Sequence, residues 1–134
     1  MFGRAKSGPQ NRIDSLIGAG TVVRGDVTFA GGLRIDGRVE GNVATADGQA
    51  GTLVVSEQAR VVGRITVSHV VVNGQIDGPI AARDYLELQA KARIKGDVTY
   101  RTLEVQQGAV VEGRLDHAEP GTASVVELKR VAAD

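Results

Sequence analysis

A chain of 134 residues suits a single domain. Its sixteen Lys and Arg balance sixteen Asp and Glu, which argues against a general pull toward nucleic acid, and the lack of cysteine excludes a fold that depends on disulfides. Eighteen glycines stand against only four aromatic residues, Phe2, Phe29, Tyr85 and Tyr100, so the expected core is narrow and lined by β-branched side chains.

The first segment, residues 1–12, reads as a flexible arm with Arg4, Lys6 and Arg12 and no acid. Met1 and Phe2 beside Arg4 and Lys6 form a weak membrane-surface signal, since basic residues are drawn to an anionic leaflet. Residue 2 is Phe, which rules out N-myristoylation. The opening "MFGRAKSGPQ" lacks the apolar stretch of a secretion signal, and no apolar run in the chain approaches the ~20 residues that span a bilayer, so a cytoplasmic location is expected.

From residue 13 the chain repeats one phrase. The copies are "SLIGAGTVVRGDV" (15–27), "LRIDGRVEGNV" (33–43), "LVVSEQARVVGRI" (53–65), "VVVNGQIDGPI" (70–80), "LELQAKARIKGDV" (86–98) and "LEVQQGAVVEGRL" (103–115). They start 18, 20, 17, 16 and 17 residues apart. The second and fourth lack two residues at the turn and carry a second glycine there. Apolar residues fall at every second position, as in Leu86, Leu88, Ala92, Ile94 and Val98, which predicts strands with one face buried. Glycine breaks the strand at one fixed place, where the backbone must bend with little room for a side chain. A turn of about 17 residues at ~3.3 Å each gives a perimeter of roughly 55–60 Å, suited to a triangular coil. No copy can bury its apolar side alone, so stacking must make the core. The expected fold is all-β, a right-handed parallel β-helix (a solenoid) of about six triangular coils with disordered termini. Right-handedness is expected because a hexapeptide period fails within three steps from Leu33.

Val61, Ile65, Ile94, Val98 and Val111 should point inward. Charge supports the register. Arg24 and Glu40, Asp77 and Lys95, Lys95 and Glu112, and Asp97 and Arg114 become neighbours of opposite sign in the stack. Residues 44–52, "ATADGQAGT", read as a surface loop. After His117, Val125, Val126, Leu128 and Val131 could form a short amphipathic segment that either caps the last coil or moves freely.

Catalytic chemistry is hard to find in this pattern. "IGAGTVVRGDV" (17–27) resembles a segment of γ-class carbonic anhydrases and related left-handed β-helix enzymes. A catalytic zinc normally takes three protein ligands, whereas His69 and His117 are the only histidines and lie 48 residues apart. No nucleophile stands at readable spacing from a base. A β-helical enzyme, γ-carbonic-anhydrase-like or acyltransferase-like, is the alternative reading. A third, an exported adhesin-like solenoid, would need an export signal. No catalytic, cofactor or metal-binding residue is assigned.

The repeated "GDV", "IDG", "VEG" and "IKG" bends over residues 13–117, with "MFGRAK" before them, resemble the bactofilins. The resemblance implies a β-helix that polymerises end to end into non-polar filaments without nucleotide. It also implies a bacterial cytoskeletal scaffold on the inner membrane that organises cell-wall or cell-shape machinery. Expected partners are thus further copies of the chain, the inner membrane surface and cell-wall synthesis or remodelling proteins, with no nucleic acid. The division expected is an arm (1–12), a β-helix domain (13–117) and a C-terminal tail (118–134). The arm would touch membrane through Met1, Phe2, Arg4 and Lys6. Open solenoid ends favour docking, and the residues expected there are Ile17, Val23 and Val27 in the first coil and Leu103, Val105, Val111 and Leu115 in the last.

Overall fold

A computed structural model describes residues 13–46 and 49–118. Three short strands make each turn of a parallel β-solenoid of six coils. The first coil holds β1 (Ser15–Ile17), β2 (Val22–Arg24) and β3 (Val27–Phe29), and the second holds β4 (Gly31–Ile35), β5 (Arg38–Glu40) and β6 (Val43–Thr45). The third begins with β7 (Gly51–Val55) and β8 (Arg60–Val62) and ends in β9 (Ile65–Val72), which runs round a corner to open the fourth. After β10 (Gln75–Asp77), β11 (Ile80–Leu88) likewise closes the fourth coil and opens the fifth. β12 (Arg93–Lys95) and β13 (Val98–Tyr100) complete the fifth, and β14 (Leu103–Val105), β15 (Val110–Glu112) and β16 (Leu115–His117) form the sixth.

The strand register reproduces the repeat read from the sequence. Ser15, Leu33, Leu53, Val70, Leu86 and Leu103 align in one column, one per coil. Because strand side chains alternate between faces, one inward position per strand generates a whole inward column. Val39, Val61, Ile76 and Ile94 form such a column, and Val43, Ile65, Ile80 and Val98 another, all at most 1% exposed. The inward placement of Val61, Ile65, Ile94 and Val98 is therefore as expected, and Val111 packs against the same core, partly buried. The scarce aromatics add to this β-branched core at two levels, Phe29 in the first coil and Tyr100 in the fifth.

The recurrent glycine has a steric cause. Gly25, Gly41, Gly63, Gly78, Gly96 and Gly113 stack at the second corner. A Cβ on any of the last five would run into the carbonyl oxygen of the glycine one coil before. Gly63 also has φ +148, a conformation that L side chains rarely adopt. Gly63→Ala is expected to cost at least about 1–3 kcal/mol, the usual cost of a residue held in a sparsely populated conformation, with the overlap added. A Cβ on Gly18 would meet nothing within 4 Å, so Gly18→Ala should leave the melting temperature nearly unchanged. Thermal unfolding followed by circular dichroism checks both. Equal melting temperatures for the two variants would refute the steric account.

The first corner alternates in length. It takes four residues (18–21, 56–59, 89–92 and 106–109) in the first, third, fifth and sixth coils and two (36–37 and 73–74) in the second and fourth. Each four-residue corner closes with a backbone hydrogen bond, such as Ala59 N–H to Ser56 O at 2.9 Å and Ala92 N–H to Gln89 O at 3.0 Å. Ala59 and Ala92 turn into the core there. The short corners tuck against the long corner before them. The space for a Cβ on Gly74 is filled by the carbonyls of Ser56 and Ala59, and that on Gly37 by those of Gly18 and Thr21. This is why the two-residue deletion brings a second glycine.

One expectation changes. The loop foreseen over 44–52 is shorter at both ends, because Ala44 and Thr45 belong to β6 and Gly51 and Thr52 are buried residues of β7. Ser68 of β9 fixes Gly51: its Oγ accepts from Gly51 N–H at 2.9 Å and lies 2.9 Å from Gly51 O. The charged residues fall in the expected columns, Arg24 beside Glu40, Asp77 beside Lys95 and Lys95 beside Glu112, but only some neighbours form ion pairs. Arg24 Nε meets Glu40 Oε1 at 3.2 Å as expected, but Asp77 is held by Arg60 Nη2 at 2.7 Å. That hydrogen bond lowers the Asp77 carboxyl from its ordinary range despite partial desolvation. Asp97 meets Arg114 through its backbone, accepting from Arg114 N–H at 3.0 Å.

Candidate functional site

A parallel strand in the middle of a solenoid pairs on both sides. The strands of the two end coils do not. Among the described residues β1, β2 and β3 pair only with β4, β5 and β6. At the other end β14, β15 and β16 pair only with β11, β12 and β13. Each end therefore presents three strand edges whose outer hydrogen-bonding groups have no strand partner among these residues, which is a template for further pairing.

The apolar cross-section at each end is made by the residues expected from the sequence. Ile17, Val23 and Val27 are in register with Ile35, Val39 and Val43, which are fully buried. Leu103, Val105, Val111 and Leu115 are in register with Leu86, Leu88, Ile94 and Val98, at most 1% exposed. The end residues share the inward direction of these partners, yet six of the seven are only partly buried and Val105 is 40% exposed. Among the described residues no further coil covers them, which accounts for their exposure. Adding a coil at either end would bury them as their partners are buried, with the stabilisation that removal of apolar surface from water gives.

Three further apolar residues belong to the first coil and were not singled out from the sequence. Ile13 is 44% exposed, Leu16 59% and Val22 48%. Leu16 and Val22 are in register with Arg34 and Arg38, so they occupy outward positions. The apolar type at an outward position was the signal available for them. Met1, Phe2, Arg4 and Lys6 lie outside the described residues, as do Val125, Val126, Leu128 and Val131.

The histidines stand apart. His69 lies on β9 in the fourth coil, its Nδ1 3.0 Å from Ser68 Oγ and its ring 6.5 Å from that of Tyr85. His117 closes the sixth coil, with Nε2 2.9 Å from Arg101 O and its ring 5.7 Å from that of Tyr100. Among the described residues no group of three or more His, Cys, Asp or Glu side chains is placed to hold a metal ion. No helix among them is long and apolar enough to cross a membrane.

A family model described as "Bactofilin: Polymer-forming cytoskeletal" matches residues 15–116. Among curated proteins, the chain is similar to Bactofilin BacP of Myxococcus xanthus (strain DK1622), with 29% identity over 117 residues that cover 86% of this chain and 47% of that protein. It is also similar to Bactofilin BacO of the same organism, with 27% identity over 103 residues that cover 77% of this chain and 79% of that one. The chain thus spans less than half the length of the first relative. No solved structure matches it significantly.

Proposed function

Because the chain belongs to the bactofilin family of polymer-forming cytoskeletal proteins, we propose that it polymerises by stacking end coil upon end coil, and that the filament serves as a scaffold at the inner membrane for cell-wall or cell-shape machinery. The observation that carries the stacking is the pair of solenoid ends, each joining strand edges paired on one side to an apolar cross-section that no other described residue closes on the other. Contacts that do not close on themselves propagate into filaments. Nothing in such a contact calls for a nucleotide, since it uses the same backbone pairing and side-chain columns that hold one coil to the next.

The membrane part of the proposal rests on Met1, Phe2, Arg4 and Lys6. One such arm binds feebly, since even a single acyl chain gives only marginal, reversible attachment. A filament carries many arms, and their affinities combine through effective concentration. Electron microscopy of the purified protein at moderate salt, without nucleotide or metal, should show filaments. Deleting residues 1–8 should preserve those filaments while releasing them from anionic liposomes in co-sedimentation. A protein that stays monomeric under these conditions would sink the stacking. Equal sedimentation with and without the arm would remove the arm as the anchor.

A further inference from the structure

One side of the solenoid is formed by β1, β4, β7, the later parts of β9 and β11, and β14. Its central outward column reads, from the first coil to the sixth, Leu16, Arg34, Val54, Val71, Glu87 and Glu104. The middle is apolar, with half-buried valines in the third and fourth coils. A cation lies on one side of that middle and two carboxylates on the other.

Among the described residues the carboxylates lack a counter-charge. Glu87 and Glu104 are cross-strand neighbours, an arrangement that is destabilising for like charges. The Tyr85 hydroxyl lies 3.1 Å from Glu87 Oε1 and 2.7 Å from Glu104 Oε1, but a phenol has one proton to donate. Gln89 Nε2 donates to Glu87 Oε2 at 3.0 Å. Among the described residues no Lys or Arg forms an ion pair with either carboxylate. Arg34 gives its Nε to Asp36 Oδ1 at 2.9 Å, and its side chain stays 49% exposed with its other donors in hand.

We propose that this face pairs with the same face of a second copy, with the two solenoid axes antiparallel. Two symmetric ways of laying the face on itself exist. With axes parallel, each coil meets its own equivalent: Arg34 opposes Arg34 and Glu87 opposes Glu87. With axes antiparallel, the third coil meets the fourth and the second meets the fifth. Val54 then lies against Val71, and Arg34 against Glu87, each twice by symmetry. Charge selects the antiparallel arrangement. Leu16 and Glu104 meet at the margin. The patch on one subunit is small, so the pairing rests on the filament reading for its strength, since contacts repeated along two filaments add.

The chain has no cysteine, which makes a position-specific test direct. Val54→Cys and Val71→Cys proteins are prepared separately, mixed, and treated with a short bismaleimide, because sheets packed face to face lie about 10 Å apart, beyond direct disulfide reach. Cross-linked peptides are then identified by mass spectrometry. Cross-links joining position 54 of one copy to position 71 of another should outnumber same-position cross-links. Arg34→Glu or Glu87→Arg alone should lower the yield of the 54–71 product at least fivefold, and the Arg34→Glu/Glu87→Arg double variant should restore it. Circular dichroism confirms that these surface variants are folded. Filaments in electron micrographs with no 54–71 product, with mainly same-position products, or with no rescue by the double variant would overturn the pairing. The 54–71 product in a protein that forms no filaments would support the face while refuting the end-to-end reading.

Discussion

Ile94→Lys is expected to abolish folding. Ile94 is 1% exposed and sits between Ile76 and Val111 in an inward column, so the new ammonium would enter a cross-section lined by aliphatic side chains. An unpaired buried charge is among the few single changes that cost more than about 4 kcal/mol, a large part of the stability of any small domain. The solenoid has no way to route the charge outward. A one-residue slip that exposed position 94 would turn the neighbouring Arg93 and Lys95 inward instead. Lys95→Ala, one position away on the outward face, should change stability by less than about 0.5 kcal/mol. Chemical denaturation followed by circular dichroism distinguishes them. A cooperative, wild-type transition for Ile94→Lys would mean that the two faces of β12 are exchanged.

The contrast between positions 94 and 95 shows why so much of this fold is legible in its sequence. A solenoid uses the same local geometry six times, so each inward position, corner glycine and coil length is written repeatedly. The column beginning at Ser15 and ending at Leu103 could be found by aligning the copies alone. What was not legible depends on contacts made once. Gly51 and Thr52 carry no apolar alternation, and the Ser68 side chain that holds Gly51 comes from the next coil. Asp77 had two basic neighbours in the stack, Arg60 before it and Lys95 after it, and only side-chain reach decides for Arg60. The apolar runs at 53–55 and 70–72 conceal which valines point outward, because an unbroken apolar run hides the period of two. The outward apolar residues Leu16, Val54 and Val71 were missed for that reason or because they stood alone. The candidate ends were legible for the opposite reason: they are ordinary coils distinguished by having a neighbour on one side.

Placing a charge in either end coil should separate assembly from folding. Ile17→Lys and Val105→Lys alter residues that point inward but have one stacked neighbour each, Ile35 and Leu88. In the free subunit the new ammonium can leave through the open end, helped at position 105 by the 40% exposure already present. The long lysine stem lets the apolar part stay in place while the charge reaches water. Docking another coil closes that route and confines the charge in an apolar section, at the cost that makes Ile94→Lys lethal to the fold. Each variant should therefore keep a β-rich circular dichroism spectrum and a cooperative transition while losing long polymers by light scattering. If Ile17 and Val105 belong to different contacts, each single variant should stop at short assemblies joined through its intact end, and the double variant should be monomeric. Loss of folding in both single variants, or normal filaments from both, would show that polymers of this chain are not built by stacking its end coils.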